Sequence, residues 1–307
     1  GSLRQIAYLG ATDRVVGVED AEVDGWATKV PYNQANPELR DLPVIGSAGP
    51  NAGGNSEKIL AVDPDVLFYY GDPSRADSLQ EQTETPVVVL KIVDFVGKEA
   101  RETMYDTWRL VGNTLNNGDR AEAVIEFVDE TISDLHERTA GIPADERETA
   151  YVGAINYKGA HGLATTRKTF PPFRFVNVEN VATNLDTDAA SVQVSQEQLL
   201  TWDPATMFVS ASNLGRVRED VRSNSAFEQI DAIGDGAVYS ILPHASYHHN
   251  YGSILANAYF VGRTLYPDQF DDLAFESKTD AIYEELLGTG LYDELTNTYD
   301  AYRQLDL

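Results

Sequence analysis

The densest group of chemically capable side chains lies in the run 244–251, which reads His-Ala-Ser-Tyr-His-His-Asn-Tyr. It contains three of the five histidines of the chain, interleaved with two tyrosines. Neutral imidazole binds first-row metals, tyrosine with histidine suits ferric or haem iron, and aromatic rings stack on planar chelators. We therefore predict that Tyr247, His248, His249 and Tyr251 contact a ligand and that His248 and His249 are candidate metal ligands. Solvated histidines at the start of a helix are the alternative.

A second group occupies the run 156–167, where Tyr157, Lys158, His161 and Arg167 lie among small residues. In a chain with 49 acidic and 23 basic residues, neighbouring cations favour a surface for a negatively charged chelate, with His161 as a further candidate metal ligand. The alternative is that the cations pair with surface acids. Arg174, flanked by phenylalanines, is predicted to stack or form an ion pair beside this site.

A third candidate is the glycine-rich run 46–55, which leads into a predicted helix. Its glycines allow backbone N–H groups to approach an anionic ligand, and the helix start adds partial positive charge. Ser47, Asn51 and Asn55 are the predicted contacts, with a flexible connector as the alternative. Neither a Gly-Lys-Ser/Thr nor a Gly-x-Gly-x-x-Gly motif is present, which argues against a nucleotide loop.

Short apolar runs alternate with helix-like stretches, which predicts βα units and an α/β fold with largely parallel sheets. Ligands of open α/β sheets bind at the carboxyl ends of the strands, and the three candidate groups follow predicted strands. The region 98–138 has apolar residues at helical spacings, with a break near Asn116–Gly118. The predicted strands are Val15–Val18, Val44–Ile45, Val66–Tyr70, Val87–Leu90, Ala150–Ile155, Met207–Ser210 and Ala237–Ile241.

Two segments of the chain have similar sequences. Residues 56–69 and 195–209 each predict a short helix, an Asp-Pro stop and a buried strand. Ser195 and Gln198 fit a capping box. Because these segments flank the long helical region, we predict two similar αβ lobes joined by helix.

The formal charge of -26 is spread along the whole chain, and only 7 of the basic residues are lysine. This charge opposes nucleic-acid binding and predicts the solvated surface of a halophilic protein of haloarchaeal type. The chain has no cysteine, which excludes disulfides and thiolate chemistry.

Three stretches together resemble a known family: residues 13–18 with 43–46, the repeated segments just described, and the ending 259–270. They are similar to substrate-binding proteins of ABC importers, of the iron-siderophore and cobalamin class with a helical backbone (class III, cluster A-like). The resemblance covers most of the chain. Members of that family usually have a strand and a ligand-facing loop before the region that corresponds to the sequence from Leu3 onward.

The resemblance implies two Rossmann-like αβ lobes, 1–97 and 139–307, bridged by helical backbone 98–138, with ligand held between them. It implies capture of an iron(III)-siderophore or similar metal chelate and delivery to an ABC permease and its ATPase, with no resident cofactor. It further implies an extracytoplasmic monomer held at the membrane by a lipid anchor outside this chain. Acidic residues that would dock on the permease are Asp72 and Asp77 in the first lobe and Glu219 and Asp220 in the second.

Several rival functions remain open at this stage. The histidines suit direct binding of Zn²⁺ or Mn²⁺, although all five lie at or after His136, outside the first predicted lobe. Cobalamin, haem and oxyanions such as molybdate are further alternatives. An enzyme is disfavoured because neither a Gly-x-Ser-x-Gly elbow nor a His-Glu-x-x-His helix is present, although an α/β hydrolase triad assembled from distant residues is a remaining alternative.

Overall fold

Helices and strands alternate along the chain as the hydrophobic pattern predicts, and they fall into two compact units. The computed structural model describes residues 1–49, 53–156, 161–187 and 189–307. The first unit comprises Gly1–Val128, Tyr247–His249 and Tyr283–Leu291. The second comprises Asp129–Ser246, Asn250–Ile282 and Tyr292–Leu307.

The first unit contains short parallel strands covered by helices. Strand β1 pairs in parallel with β2, β2 pairs antiparallel with β3, and β4 pairs in parallel with β5. Its strands are β1 (Val18–Glu19), β2 (Val44–Ser47), β3 (Gly53–Gly54), β4 (Leu67–Tyr69) and β5 (Val87–Val89). Its helices are α1 (Ser2–Tyr8), α2 (Asp20–Val23), α3 (Pro31–Ala35), α4 (Ser56–Val62), α5 (Pro73–Thr83), α6 (Lys98–Thr114) and the first half of α7 (Gly118–Thr139).

The second unit is built on a parallel sheet with strand order β11-β10-β6-β8. Every residue of its strand β10 is buried, as expected for a parallel sheet covered on both faces. The strands are β6 (Thr149–Gly153), β7 (Thr165–Thr166), β8 (Glu179–Asn180), β9 (Val192–Gln193), β10 (Met207–Ser210) and β11 (Val238–Ile241). The helices are α8 (Pro171–Phe175), α9 (Gln196–Trp202), α10 (Leu214–Ser223), α11 (Asp231–Gly234), α12 (Tyr251–Leu265), α13 (Phe275–Leu287) and α14 (Tyr292–Tyr299). The last five residues of α13 belong to the first unit.

Seven short 3₁₀ turns complete the regular structure of the described residues. They are Thr12–Arg14, Trp26–Lys29, Pro37–Asp41, Ala144–Glu146, Ala211–Asn213, Ser225–Gln229 and Pro267–Gln269. Each sheet among the described residues takes its strands from one unit, as the prediction of two αβ groups requires. The helical region expected at 98–138 is present with its break after Thr114. The boundary between the compact units falls within α7 at Val128, and the predicted lobe limits at residues 97 and 138 stay a prediction.

The repeated sequence segments fold in the same way in both units. Asn55 and Ser195 cap α4 and α9 by accepting hydrogen bonds from the amides of Lys58 and Gln198, at 3.0 and 3.1 Å. Both helices end at an aspartate in the left-handed conformation, with φ of 47° at Asp63 and 41° at Asp203. The proline that follows each aspartate cannot continue a helix, so the chain turns into a strand. The two segments are therefore equivalent αβ junctions.

The core of the first unit is centred on Trp108 of α6, which is fully buried. Its ring stacks on Tyr105 at 5.7 Å between ring centroids and meets Tyr8 and Phe95 edge-on, both at 6.2 Å. The indole Nε1 donates to Gln5 Oε1 at 2.8 Å. Trp108 thereby fixes α1 against α6.

In the second unit Arg138 holds the end of α7 to the segment before α13. Its guanidinium donates to both carboxylate oxygens of Asp272, at 2.6 and 3.1 Å, and to the Asp134 carboxylate. It also lies 5.3 Å from the centre of the Phe270 ring, and Tyr259 donates to Asp134 at 2.5 Å. Hydrogen bonding from Arg138 lowers the pKa of Asp272.

This ion pair predicts an acid-sensitive contribution to stability. Because the pKa of Asp272 is lower in the folded protein than in the unfolded chain, the contribution is present above the unfolded value of about 3.9. It is lost as the pH falls through the folded pKa. Chemical unfolding at pH values from 2 to 7 should therefore show a smaller decline below about pH 4 for Asp272→Asn than for the wild type. Asp271→Asn is the control, and equal declines in Asp272→Asn and the wild type would contradict the assignment.

None of the helices in the described ranges is both long enough and apolar enough to span a membrane.

Candidate functional site

Tyr247, His248 and His249 form a three-residue segment of the first unit, although the residues on both sides belong to the second. We name it the inserted segment. Tyr247 and His248 are both left-handed, with φ of 50° and 67°. This conformation costs roughly 1–3 kcal/mol for a residue with a side chain and persists only where other contacts impose it. Consecutive aromatic residues in this state indicate a backbone shaped to present their rings.

Four contacts within the first unit hold the inserted segment. Arg4 Nη1 donates to the Tyr247 carbonyl oxygen at 2.7 Å. The Trp26 ring meets the Tyr247 ring edge-on at 4.6 Å, and Tyr70 meets His248 edge-on at 4.3 Å. His249 Nδ1 lies 3.8 Å from Oδ1 of the buried Asp94. Each residue of the segment is therefore tied to a different part of the unit.

The rings of Trp26, Tyr247, His248 and Tyr70 form a continuous series, which we name the aromatic row. Tyr247 and His248, at its centre, lie 5.8 Å apart. The two ends are open to solvent, with Trp26 50% exposed and Tyr70 42% exposed. Large exposed aromatic surface next to half-buried rings is typical of a binding surface. The row can stack on a flat or aromatic ligand.

Local chain geometry places the two ends of the row. Trp26 begins the 3₁₀ turn that follows Gly25, where a Cβ atom would lie 2.8 Å from the Ala21 Cα. Gly25 therefore lets the chain pass close to α2 before Trp26 emerges. Tyr70 follows β4 directly, at the carboxyl end of a parallel strand, where α/β proteins bind ligands.

A buried carboxylate, Glu22, and a half-buried one, Glu19, interact electrostatically in the first unit. Glu22 is fully buried and accepts hydrogen bonds from the Tyr32 hydroxyl at 2.7 Å and from Asn33 Nδ2 at 3.1 Å. Burial raises the pKa of Glu22, while these hydrogen bonds and the charge of Arg4 act in the opposite direction. Burial also raises the pKa of Glu19. Arg4 lies 5.0 Å from the centre of the Tyr32 ring and is the cation among these groups.

His248 is neutral at physiological pH. Burial, with a smaller contribution from Arg4, lowers the pKa of His248 to about 2. A neutral imidazole keeps one nitrogen lone pair, so it can stack, accept a hydrogen bond or bind a metal ion. The row therefore presents uncharged rings to a ligand.

The second unit has a polar cluster at the carboxyl ends of β6 and β10. Asn213 Nδ2 donates to the carbonyl oxygen of Ala154, at 2.7 Å, and to Asn156 Oδ1. Asn156 donates to Ser212 Oγ at 2.7 Å, and Ser212 lies 2.9 Å from Ser210 Oγ. Ala154 is left-handed, with φ of 54°. These amides and hydroxyls suit the oxygen atoms of a ligand, and none of them carries a charge.

Two of the predicted ligand contacts have buried side chains, and their role in binding stays a prediction. Arg167 is 5% exposed and its Nε donates to the Thr169 carbonyl oxygen at 2.5 Å, so its guanidinium contributes to the interior of its own loop. Tyr251 is fully buried as the first residue of α12. The burial of these two side chains could not be predicted from sequence periodicity, because both residues lie where a loop meets buried structure.

The other predicted residues of the second unit have different positions. His161 is half-buried and Arg174 is exposed between the buried Phe173 and Phe175. Asp220 Oδ2 accepts from the Leu163 amide at 2.8 Å and supports the loop that carries His161. Tyr157 and Lys158 lie outside the described residues. The predicted role of His161 and Arg174 in binding stays a prediction.

The glycine-rich run of the first unit forms a hairpin. Gly46 pairs with Gly54 and Ser47 with Gly53, and a Cβ atom on Gly46 would lie 2.7 Å from the Gly53 carbonyl oxygen. The Ala48 amide donates to Asp20 Oδ1 at 2.8 Å, and Asn55 caps α4. The Ala48 amide and the Asn55 side chain therefore have structural partners, while Ser47 is exposed and Asn51 lies outside the described residues. The predicted role of Ser47 and Asn55 in ligand binding stays a prediction.

The predicted docking acids lie at or near the surface. Asp72 caps α5 by accepting from the Ser74 amide at 2.8 Å, and Asp77 is exposed on the same helix. Glu219 is exposed and pairs with Arg216 at 3.1 Å. Their role in docking stays a prediction.

The fold and the aromatic row define the class of protein. Units of parallel sheet and helix, with aromatic and polar groups at strand ends, are typical of an α/β protein that binds a small molecule. A family model described as periplasmic binding protein matches residues 2–245. The chain belongs to this family.

Comparisons with individual proteins agree with the family. The Fe(3+)-citrate-binding protein YfmC of Bacillus subtilis (strain 168) is 23% identical over 197 residues, which are 63% of this chain and 58% of the relative. The match thus spans less than two thirds of the length of that relative.

Solved structures show the same fold. A periplasmic solute binding protein from Veillonella parvula DSM 2008 superposes with a TM-score of 0.73 at 20% identity, covering 97% of this chain and 88% of that chain. The molybdate periplasmic binding protein MolA of Haemophilus influenzae gives a TM-score of 0.70 at 20% identity, covering 94% of this chain and 90% of that chain. The predicted α/β fold of the class III periplasmic binding proteins is therefore confirmed.

Proposed function

We propose that this chain is the extracytoplasmic solute-binding component of an ABC importer, and that it captures an iron(III) chelate without changing it chemically. Membership of the periplasmic binding protein family supports the class of function. The likeness to a ferric-citrate-binding relative supports iron as the transported metal. The metal chelate is the transported ligand, so the protein needs no resident cofactor.

The aromatic row is the observation that carries the proposal. Trp26 and Tyr70 expose large ring surfaces that the fold of the first unit does not bury, and the inserted segment adds two rings in a strained backbone. Planar chelators and porphyrins offer matching flat surfaces, and ring stacking gives affinity without a net charge. We therefore favour an organic chelate with a flat or aromatic part over a fully hydrated anion.

A bare divalent metal ion is the second candidate, and one pair of residues favours it. Asp94 and His249 place a carboxylate oxygen and an imidazole nitrogen 3.8 Å apart in the first unit. Zn²⁺ and Mn²⁺ accept such ligands. A bare ion makes no use of the ring surfaces of the aromatic row, so we rank this candidate below a preformed chelate.

The proposal also includes partners. The solute would be passed to a membrane permease driven by its ATPase, with Asp72, Asp77, Glu219 and Asp220 as the acidic docking candidates. A lipid anchor outside this chain would hold a monomer at the cell surface. The likeness to MolA, described as cognate to an ABC transporter, supports this arrangement.

Calorimetric titration of the purified protein tests the proposed function. The ligands are ferric citrate, a ferric trihydroxamate, a ferric catecholate, haemin, cobalamin, molybdate, Zn²⁺ and Mn²⁺. We expect submicromolar binding of at least one ferric chelate or haemin, with quenching of Trp26 emission that is absent in Trp26→Phe. Tight binding of a free divalent ion alone would replace the proposal by the second candidate. Chemical conversion of any ligand, followed by mass spectrometry, would identify an enzyme instead.

The acid excess supports a halophilic origin, and this part of the proposal has its own test. With 49 acidic and 23 basic residues, mutual repulsion weakens the folded state at low salt. The Debye length falls from about 10 Å at 0.1 M to about 3 Å at 1 M, so the melting temperature should rise steadily across this range of KCl. An equal rise in NaCl identifies screening as the cause. A flat or falling melting temperature would contradict a halophilic surface.

A further inference from the structure

Arg4 is a charged side chain in the interior of the protein, where charged groups are rare. It is 1% exposed, on the first helix of the chain, and it is 243 residues away in sequence from the Tyr247 carbonyl to which it donates. Buried arginines are retained where their several donors are used. The donor contact with Tyr247 links Arg4 directly to the inserted segment.

Contacts among neighbouring core residues fix the surroundings of Arg4. The guanidinium lies over the Tyr32 ring, and the Tyr32 hydroxyl in turn donates to Glu22. Glu22 is also held by Asn33, whose Nδ2 donates to both the carboxylate and the backbone carbonyl oxygen of Glu22. Gln5, the next residue in α1, accepts from the buried Trp108 indole. The position of Arg4 is therefore set by the core and not by the surface.

Arg4 donates to a backbone group that needs support. The Tyr247 carbonyl lies between two consecutive left-handed residues, and a left-handed peptide with side chains relaxes when its contacts are removed. Trp26 and Tyr70, which also contact this segment, are half-exposed rings and give weaker restraint than a short charge-assisted hydrogen bond.

We infer that Arg4 is a positioning residue for ligand binding. It holds the Tyr247 carbonyl so that the rings of Tyr247 and His248 complete the aromatic row, and it does so without touching the ligand itself. The inference rests on the proposed function only for the ligand; the positioning of the inserted segment stands on the geometry of the first unit.

The first measurement needs no ligand. Hydrogen exchange followed by mass spectrometry should show faster exchange of a peptide containing Tyr247–His249 in Arg4→Met than in the wild type. Arg14→Met is the matched control, because Arg14 also donates to a distant backbone carbonyl of the first unit, that of Leu115, at 2.5 Å. It should leave this peptide unchanged. Equal exchange in Arg4→Met and the wild type would overturn the positioning role.

The second measurement is affinity for haemin and for ferric citrate. Loss of one charge-assisted hydrogen bond to the segment should weaken binding about tenfold in Arg4→Met, and Arg4→Lys, which keeps one charged donor, should restore part of it. In a background of Tyr247→Ala with His248→Ala, Arg4→Met should have almost no further effect, because the rings that it positions are gone. The same tenfold loss in that background would show that Arg4 acts elsewhere.

Two further experiments distinguish an unstable variant and a wrong choice of ligand from a wrong role for Arg4. If Arg4→Met is too unstable because it leaves Glu22 buried without its cation, Arg4→Met with Glu22→Gln removes both charges and is tested in the same way. If the wild type binds neither haemin nor ferric citrate, the choice of ligand fails, and the hydrogen-exchange result still decides whether Arg4 holds the segment. Binding by the wild type with unchanged affinity in Arg4→Met would overturn the inference and leave the proposed function standing.

Discussion

Replacing Trp26 and Tyr70 together by alanine should weaken haemin binding about 100-fold while leaving thermal unfolding close to that of the wild type. Truncation of an energetically important contact residue at a binding surface costs more than about 1 kcal/mol, and about 1.4 kcal/mol is a factor of ten in affinity, so two such truncations give about 100-fold. Both side chains are about half exposed, so their truncation removes far less buried surface than truncation of a core ring would. The measurement is calorimetric titration of the double variant beside a thermal melt.

A matched control for this variant comes from exposed apolar residues outside the row. Val16 and Leu60 are as exposed as Trp26 and belong to the same unit. Val16→Ala with Leu60→Ala removes comparable exposed apolar positions without touching an aromatic ring, and its affinity should equal that of the wild type. If the control loses as much affinity as the Trp26 and Tyr70 variant, the aromatic row is not the binding surface.

Replacing Trp108 by alanine should destabilise the first unit by about 3–5 kcal/mol, the usual cost of removing a fully buried tryptophan. Its ring touches three other aromatic rings, and its indole N–H satisfies Gln5, whose acceptor would be left buried. A loss of this size lowers the melting temperature by roughly 10 °C or more for a unit of this length. Circular dichroism during heating measures it.

Leu110, on the same helix, provides the comparison for Trp108. It is exposed, so Leu110→Ala should shift the melting temperature only slightly. Trp108→Phe keeps the ring packing and loses the hydrogen bond to Gln5, so its melting temperature should lie between those of the alanine variant and the wild type. A Trp108→Ala protein that melts with the wild type would show that the aromatic core contributes little to this unit.

Local patterns were sufficient to predict much of the fold. The Asp-Pro stops at residues 63–64 and 203–204 predicted two equivalent αβ junctions, and both are present with the same left-handed aspartate. These features depend on residues close together in the chain, where helix propensity, capping and proline geometry act. The boundary at Val128 is different, because it is decided by contacts between distant segments.

The candidate site was only partly predictable. The run 244–251 was identified from its residue types, but its left-handed backbone and its place in the first unit depend on partners such as Arg4 and Asp94 far away in sequence. Trp26 was missed because an isolated tryptophan in a turn has no periodicity to mark it. Tyr70 is the last residue of a strand predicted to be buried, and a tyrosine at the carboxyl end of a strand was the available signal.

The inserted segment has a consequence for how the protein is made. A ribosome releases the chain from its beginning, yet the first unit is incomplete until Tyr247–His249 and Tyr283–Leu291 have been synthesised. The hydrogen bonds of Arg4 to Tyr247 and of Arg120 to Glu285 therefore cannot form until these partner residues have been synthesised. Most of the second unit is translated in this interval. The first unit can therefore complete its fold only after most of the second unit has been translated.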